Sequence, residues 1–281
     1  MSADGGIAAP SNYFSDVLAL LRRSLAQLLR PPLQPRRAAA ARRLARQLLP
    51  LSVIVAAVIV ALIWAVDLKE IGLMPSRGTA SLWPVRILTD FGKAANVLWP
   101  LGAALAIVAL LAPRWPQSVR SGLLRLGTRL EFLFFAVLVP VLAGEVIKWI
   151  VGRGRPFVGG EAHAFYFRPF AATEAYASFP SAHAITSCAL ALAISALWPR
   201  ARVAMVVYAV LICASRLVLL AHHPSDVVAG ALIGVVGAML VRYWFAARGL
   251  GFAIALDGAI APLGRAAPDP SKGVARKARA P

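Results

Sequence analysis

Several polar residues stand where a strongly apolar chain should not tolerate them. Glu145 and Lys148 lie near the end of one apolar run, Ser181 and His183 open the next, Arg216 sits within a third, and His222 and Asp226 bridge to a fourth. Ionisable groups inside or at the rim of apolar helices are costly, and by default they mark functional sites. The residue types suit phosphoryl transfer. A phosphoryl group in flight spreads negative charge over its oxygens, so fixed cations and donors do most of the catalytic work. Lys148, Arg155 and Arg216 can supply the cations. Two histidines, His222 and His183, can divide the roles of nucleophile and general acid. A nucleophilic imidazole needs its second ring nitrogen held, and Asp226, four residues beyond His222, is placed to hold it. The cluster offers few carboxylates for a hard cation, so no metal and no other cofactor is expected.

These residues need elements that bring them to one place. The chain has 281 residues, 59% of them hydrophobic, with a mean hydropathy of +0.71, against about 45–50% apolar residues in a soluble domain. Six segments approach the roughly 20 apolar residues that cross a bilayer. They are Leu51 to Val66, Ala94 to Ala112, Phe132 to Val151, Ala182 to Trp198, Val203 to Ala221 and Val227 to Phe245; the fourth is the shortest. The third to sixth segments meet one membrane face at Lys148, His183, His222 and Asp226. The sequence therefore predicts an all-α fold, a six-transmembrane-helix bundle with an N-terminal amphipathic helix.

Arginines place that face. Eight of them lie in residues 1–49, and further clusters follow the second, fourth and sixth segments. The positive-inside bias then puts both termini in the cytoplasm and the polar cluster on the extracytoplasmic side. Before the first span, Phe14, Val17, Leu18, Leu21, Leu25, Leu28 and Leu29 recur at helical spacing, and Pro31 and Pro32 end the run. That stripe suits either the membrane interface or the bundle's cytoplasmic side. The expected division is a basic amphipathic segment over 1–49, a membrane domain over 50–246, and a basic, disordered tail over 247–281. Gly249 to Gly264 is too short and too interrupted for a seventh span. The net charge of +18 has no aromatic-interleaved basic surface, which argues against nucleic acid. Cys188 and Cys213 fall in apolar runs and form no disulfide framework. A cleaved signal peptide is not expected.

The polar residues fall into three motifs. They are Lys148 with Arg155 and Pro156 after six intervening residues; Pro180, Ser181, Ala182 and His183; and Ser215 and Arg216, then His222 after five residues and Asp226 after three more. In this order and spacing the chain resembles the type 2 phosphatidic acid phosphatase family, whose active site is similar to that of vanadium haloperoxidases. The resemblance implies that His222 attacks phosphorus to give a phosphohistidine, that Asp226 orients it, and that His183 protonates the leaving group and then activates water. It also implies that Lys148, Arg155, Arg216, the Ser181 hydroxyl and the backbone N–H of Ala182 hold the phosphate. Ala182 departs from the family's usual glycine; at a helix start alanine keeps the N–H and the anion-favouring field.

Other polar residues have plainer readings. Arg153 and Arg168 read as solvated loop charges or, alternatively, as contacts to the substrate headgroup, His163 and His223 as loop histidines, and Glu145 as a partner for Lys148 one turn away. The 157–179 connection, with Glu161 and Glu174, is long enough to select a substrate. The function expected is an integral membrane lipid phosphatase in a bacterial inner membrane, acting on undecaprenyl pyrophosphate, phosphatidic acid, phosphatidylglycerol phosphate or lipid A. A lipid phosphotransferase using the same intermediate is the alternative, and a non-catalytic transporter or scaffold is a third reading. The partners expected are the lipid substrate and the bilayer; the oligomeric state is not readable.

Overall fold

A computed structural model describes residues 12–32, 34–76, 78–160 and 163–263. The basic tail beyond Arg265 and Glu161 lie outside the described residues. Nine helices appear among them: α1 (Tyr13–Leu29), α2 (Arg37–Ala65), α3 (Asp67–Leu73), α4 (Trp83–Asp90), α5 (Ala94–Leu111), α6 (Gln117–Val151), α7 (Ala182–Leu197), α8 (Arg202–Val218) and α9 (Pro224–Ala247). An antiparallel hairpin of β1 (Phe252–Ile254) and β2 (Ile260–Pro262) follows α9. That hairpin departs from the all-helical expectation. Gly258, with a φ of +79°, makes its turn against the backbone of Ala39 and Ala40, and Phe252 packs edge-on to Phe132 of α6.

Five helical stretches are long and apolar enough to cross a membrane: Arg37–Ala65, Ala80–Arg114, Gln117–Val151, Pro199–Val218 and Pro224–Ala247. The expected count was six. The remaining helix, α7, has 16 residues, about 24 Å at 1.5 Å per residue against a hydrocarbon core of about 30 Å. Its short length is compatible with its position, because α7 is the central helix, packed against α6, α8 and α9. It meets protein where a peripheral helix would meet lipid.

Small residues permit that packing. A Cβ on Gly230 would lie 2.5 Å from the Ser181 carbonyl oxygen, and one on Gly237 would lie 2.5 Å from Pro140 Cβ. Glycines at this spacing let helix backbones approach closely. The buried core is built from Phe132, Ala136 and Val137 of α6, Ile185, Ala189 and Ala193 of α7, and Ala238, Val241 and Phe245 of α9. The outer faces carry exposed Ile54, Trp64, Trp99, Ile107, Val203 and Val210, as a bilayer-facing surface requires. Helix α1 lies outside the core, with Phe14, Leu18, Leu21, Leu25 and Leu29 exposed, and Tyr13 Oη donates to the Leu110 carbonyl.

Candidate functional site

Four helix ends meet at one end of the bundle. Helix α6 stops at Gly152, a left-handed residue with φ +56° whose N–H returns to the Lys148 carbonyl. The Arg168 backbone packs directly on this glycine, leaving no room for a Cβ. The turn releases the chain toward Arg153 and Arg155 immediately after Lys148. Helix α7 begins after Ser181, its N-cap residue, whose N–H donates to the Asp226 carbonyl at 3.0 Å. Ala182 and His183 therefore occupy a first helical turn, where N–H groups lack intrahelical partners and favour an anion. Helix α8 carries Arg216 near its end, and His222 and His223 lead into α9.

Electrostatic proximity ties these elements together. His183 lies within reach of the charges on Arg216, Lys93, Lys148 and Arg155, and His222 within reach of Arg216, Arg155 and His183. The expected phosphate-binding side chains and both imidazoles thus share one neighbourhood. The cations have partners of two kinds. Lys148 pairs with Glu145 at 2.5 Å and Arg155 with Glu174 at 2.7 Å. Arg216 Nη1 instead donates to Thr89 Oγ1 at 2.7 Å. Several buried polar atoms have no hydrogen-bond partner among the described residues: Ser181 Oγ, His183 Nε2, Arg155 Nε and Arg216 Nε. Buried polar groups are normally satisfied, so a group of unsatisfied ones at one location calls for an explanation.

His222 is almost fully buried, and its Nδ1 lies 2.8 Å from the Ser178 carbonyl oxygen. A carbonyl can only accept, so Nδ1 carries the proton and Nε2 keeps its lone pair. Burial, reinforced by Arg216 and Arg155 and opposed by the Ser178 carbonyl, pushes His222 well below the usual histidine pKa. It is therefore neutral near pH 7, the state that the expected role of nucleophile requires.

Asp226 was expected to hold His222 directly. The separation is 3.9 Å from Nδ1 to Oδ2, too long for a hydrogen bond. The carboxylate is already engaged: Oδ2 accepts from Ser178 Oγ at 2.6 Å and from the His223 N–H at 2.9 Å, and Oδ1 accepts from Arg153 Nη1 at 2.6 Å. Asp226 thus meets Ser178, and the Ser178 carbonyl meets His222.

Two plainer readings change. Arg153, expected as a loop charge, is 1% exposed. It is enclosed by Asp226, Ser225, Asp67 and the Ala164 carbonyl. His223, expected as a loop histidine, is fully buried as the N-cap of α9. Burial sets its pKa below the ordinary value, against the opposing pull of Asp226 and Asp67. Arg168 is exposed, as a loop charge should be. The sequence reading also missed Asp67, Glu70, Thr89, Lys93 and Ser178. With only 12 acidic residues in the chain, an Asp and a Glu three apart at the end of an apolar run were the available signal.

Part of the chain is similar to known proteins. Residues 130–250 match the family model of the PAP2 superfamily, a span that contains all eight expected site residues. Over this segment the chain is similar to the PAP2 superfamily. Among curated proteins, a lipid A 1-phosphatase of Rhizobium johnstonii is 39% identical over 127 residues, 45% of this chain and 52% of that protein. A lipid A 1-phosphatase of Rhizobium etli is 37% identical over 127 residues, 45% of this chain and 55% of that protein. The chain spans about half the length of these curated relatives. No solved structure matches it.

Proposed function

We propose that this chain is an integral membrane phosphatase of the PAP2 type that removes a phosphate monoester from an amphiphilic lipid at the extracytoplasmic face, with lipid A 1-phosphate as the leading substrate. The observation that carries the reading is the group of unsatisfied buried atoms, Ser181 Oγ, His183 Nε2, Arg155 Nε and Arg216 Nε, beside a neutral buried His222. A tetrahedral phosphate has acceptor oxygens for each of the donors. The two lipid A 1-phosphatases among the relatives favour that substrate over a pyrophosphate.

In the proposed reaction, His222 Nε2 forms a bond to phosphorus as the P–O bond to the lipid breaks. His183 takes a proton from the monoanionic phosphate as it binds among the cations and gives that proton to the departing oxygen. Arg155, Arg216 and Lys148 carry the charge spreading over the phosphoryl oxygens, joined by Ser181 and the Ala182 N–H. The Ser178 carbonyl holds the Nδ1 proton while the ring becomes cationic. Water then attacks the phosphohistidine, His183 takes up its proton, and the N–P bond breaks to release inorganic phosphate.

The test is phosphate release by the detergent-purified protein from lipid A, phosphatidic acid, phosphatidylglycerol phosphate and undecaprenyl pyrophosphate, measured without and then with a chelator. Release from lipid A that His222→Ala abolishes is expected. Release that survives the substitution, or that stops when chelator is added, refutes the mechanism.

A further inference from the structure

The hydrogen bonds behind the nucleophile continue beyond the PAP2 segment. From the His222 ring they run to the Ser178 carbonyl, and from the Ser178 hydroxyl to Asp226 Oδ2. Asp226 Oδ1 meets Arg153 Nη1, and Arg153 Nη2 meets Asp67 Oδ2 at 2.8 Å. Asp67 opens α3, more than sixty residues before the matched segment begins. It is fully buried and also accepts from Ser225, at 3.1 Å from the N–H and 2.5 Å from Oγ.

We infer that Asp67 is a positioning residue for the nucleophile, acting through Arg153, Asp226 and the Ser178 carbonyl on the His222 ring. The inference rests on the reading that His222 attacks phosphorus. The geometry leaves each member little freedom. Arg153 uses Nε and Nη2 on the Ala164 carbonyl, Nη1 on Ser225 and Asp226, and Nη2 on Asp67, so its planar fork cannot rotate without breaking several bonds. Ser225 is in the first turn of α9, where backbone N–H groups lack intrahelical acceptors, and Asp67 supplies one. The segment from His222 to Asp226 is therefore held at both ends, by Asp67 on Ser225 and by Ser178 on His222.

A buried ion pair is weak evidence of stabilisation, because an apolar replacement of similar volume often does as well. Direction is what this network adds. Each bond fixes the orientation of the next, ending at a carbonyl whose placement sets the ring's tautomer and the aim of Nε2.

The assay is steady-state phosphate release from detergent-dispersed lipid A by the full chain, with unfolding temperature recorded for every variant. His222→Ala comes first. Release that survives it overturns the nucleophile reading; release that it abolishes leaves the network to be judged on its own. Asp67→Asn keeps the shape and removes the charge. It is expected to lower kcat at least about tenfold with KM within about twofold, the pattern of a misdirected nucleophile. Ser178→Ala cuts the same path at its other end, and the double variant is expected to lose less than the product of the two single losses. A wild-type kcat in Asp67→Asn, a change confined to KM, or fully multiplicative losses overturns the proposal. If Asp67→Asn does not fold, Ser225→Ala replaces it, since that removes one hydroxyl from Asp67 and Arg153 and leaves every charge paired. A wild-type kcat there overturns the proposal as well.

Discussion

Arg153→Met isolates the energetic claim on which the buried network depends. The guanidinium makes five hydrogen bonds, to the Ala164 carbonyl (3.2 and 2.8 Å), Ser225 (2.6 Å), Asp226 (2.6 Å) and Asp67 (2.8 Å). Methionine fills much of the volume and supplies no donor. Asp67 and Asp226, both fully buried, would then face each other without a cation. Removing one partner from a buried ion pair costs about 3–5 kcal/mol, a large part of the roughly 5–15 kcal/mol that holds a typical fold together. At pH 5 the loss is expected to be smaller, because an orphaned carboxyl can bind a proton and shed its charge. The assay is chemical unfolding in detergent followed by tryptophan fluorescence at pH 7.5 and pH 5. Exposed Arg168→Met is the control, with a change expected within about 0.5 kcal/mol. Asp67→Asn combined with Arg153→Met should recover part of the loss, since fewer charges remain unpaired. The reasoning fails if Arg153→Met costs no more than the Arg168 control, or if its cost is the same at both pH values.

Glu70 packs beside that network with neither carboxylate oxygen bonded among the described residues, and burial, then Asp67 and Asp226, raises its pKa from 4.5 to about 7. A carboxyl raised on folding contributes stability that is present below pH 4.5 and is lost as pH rises through 7, so wild type should lose up to roughly 3 kcal/mol relative to Glu70→Gln between pH 5 and 8. Parallel unfolding curves for the two proteins across that range would rule this out. Gly230→Ala places a Cβ 2.5 Å from the Ser181 carbonyl oxygen, which is backbone and cannot swing aside. A displacement on the order of 1 Å between the helices carrying His183 and Asp226 should lower phosphate release by roughly 100-fold, and near-normal kcat would show that α9 shifts without disturbing the site. Glu174→Gln frees Arg155 from an exposed ion pair worth about 0.2–1 kcal/mol, so KM should fall about two- to fivefold while kcat holds. An unchanged KM would mean that Glu174 does not compete with the substrate.

That the expected site residues would meet was legible because a polar group in an apolar run has few innocent explanations, and topology alone brings the ends of α6 and α8 and the starts of α7 and α9 to one level. The network behind them was not. Asp67 ends an apolar stretch, which is where an unremarkable boundary residue also falls, and its partner Arg153 is 86 residues away. Arg153 lies between Lys148 and Arg155 in a run of cations, a pattern that usually means solvated loop. Only the fold reveals that two carboxylates enclose it. His223 was hidden by its neighbour, since one of two adjacent histidines satisfies the motif and the other then looks spare. The short α7 was flagged by its length, but its central position depends on glycines in α9, whose role is set by what they face. The β1–β2 hairpin lies in what the sequence reads as the start of a disordered tail, because its strands have three residues each, too few for alternation to register.

The charges at this end of the bundle divide by how easily their partners can be exchanged. Lys148, Arg155 and Lys93 are paired with Glu145, Glu174 and Asp90, carboxylates about half exposed or more. Such pairs are weak and can exchange one anion for another at little cost. Arg153 is paired with carboxylates that water does not reach, and breaking those pairs is expensive. An arriving phosphate can therefore compete for the first group and not for the second. In the proposed reaction the exchangeable cations bind the substrate and let the product leave, while the locked one keeps the segment from Ser178 to Asp226 in register. Were Arg153 as exchangeable as Arg155, a substrate phosphate could draw it away from Asp226, and each binding event would disturb the carbonyl that aims the nucleophile.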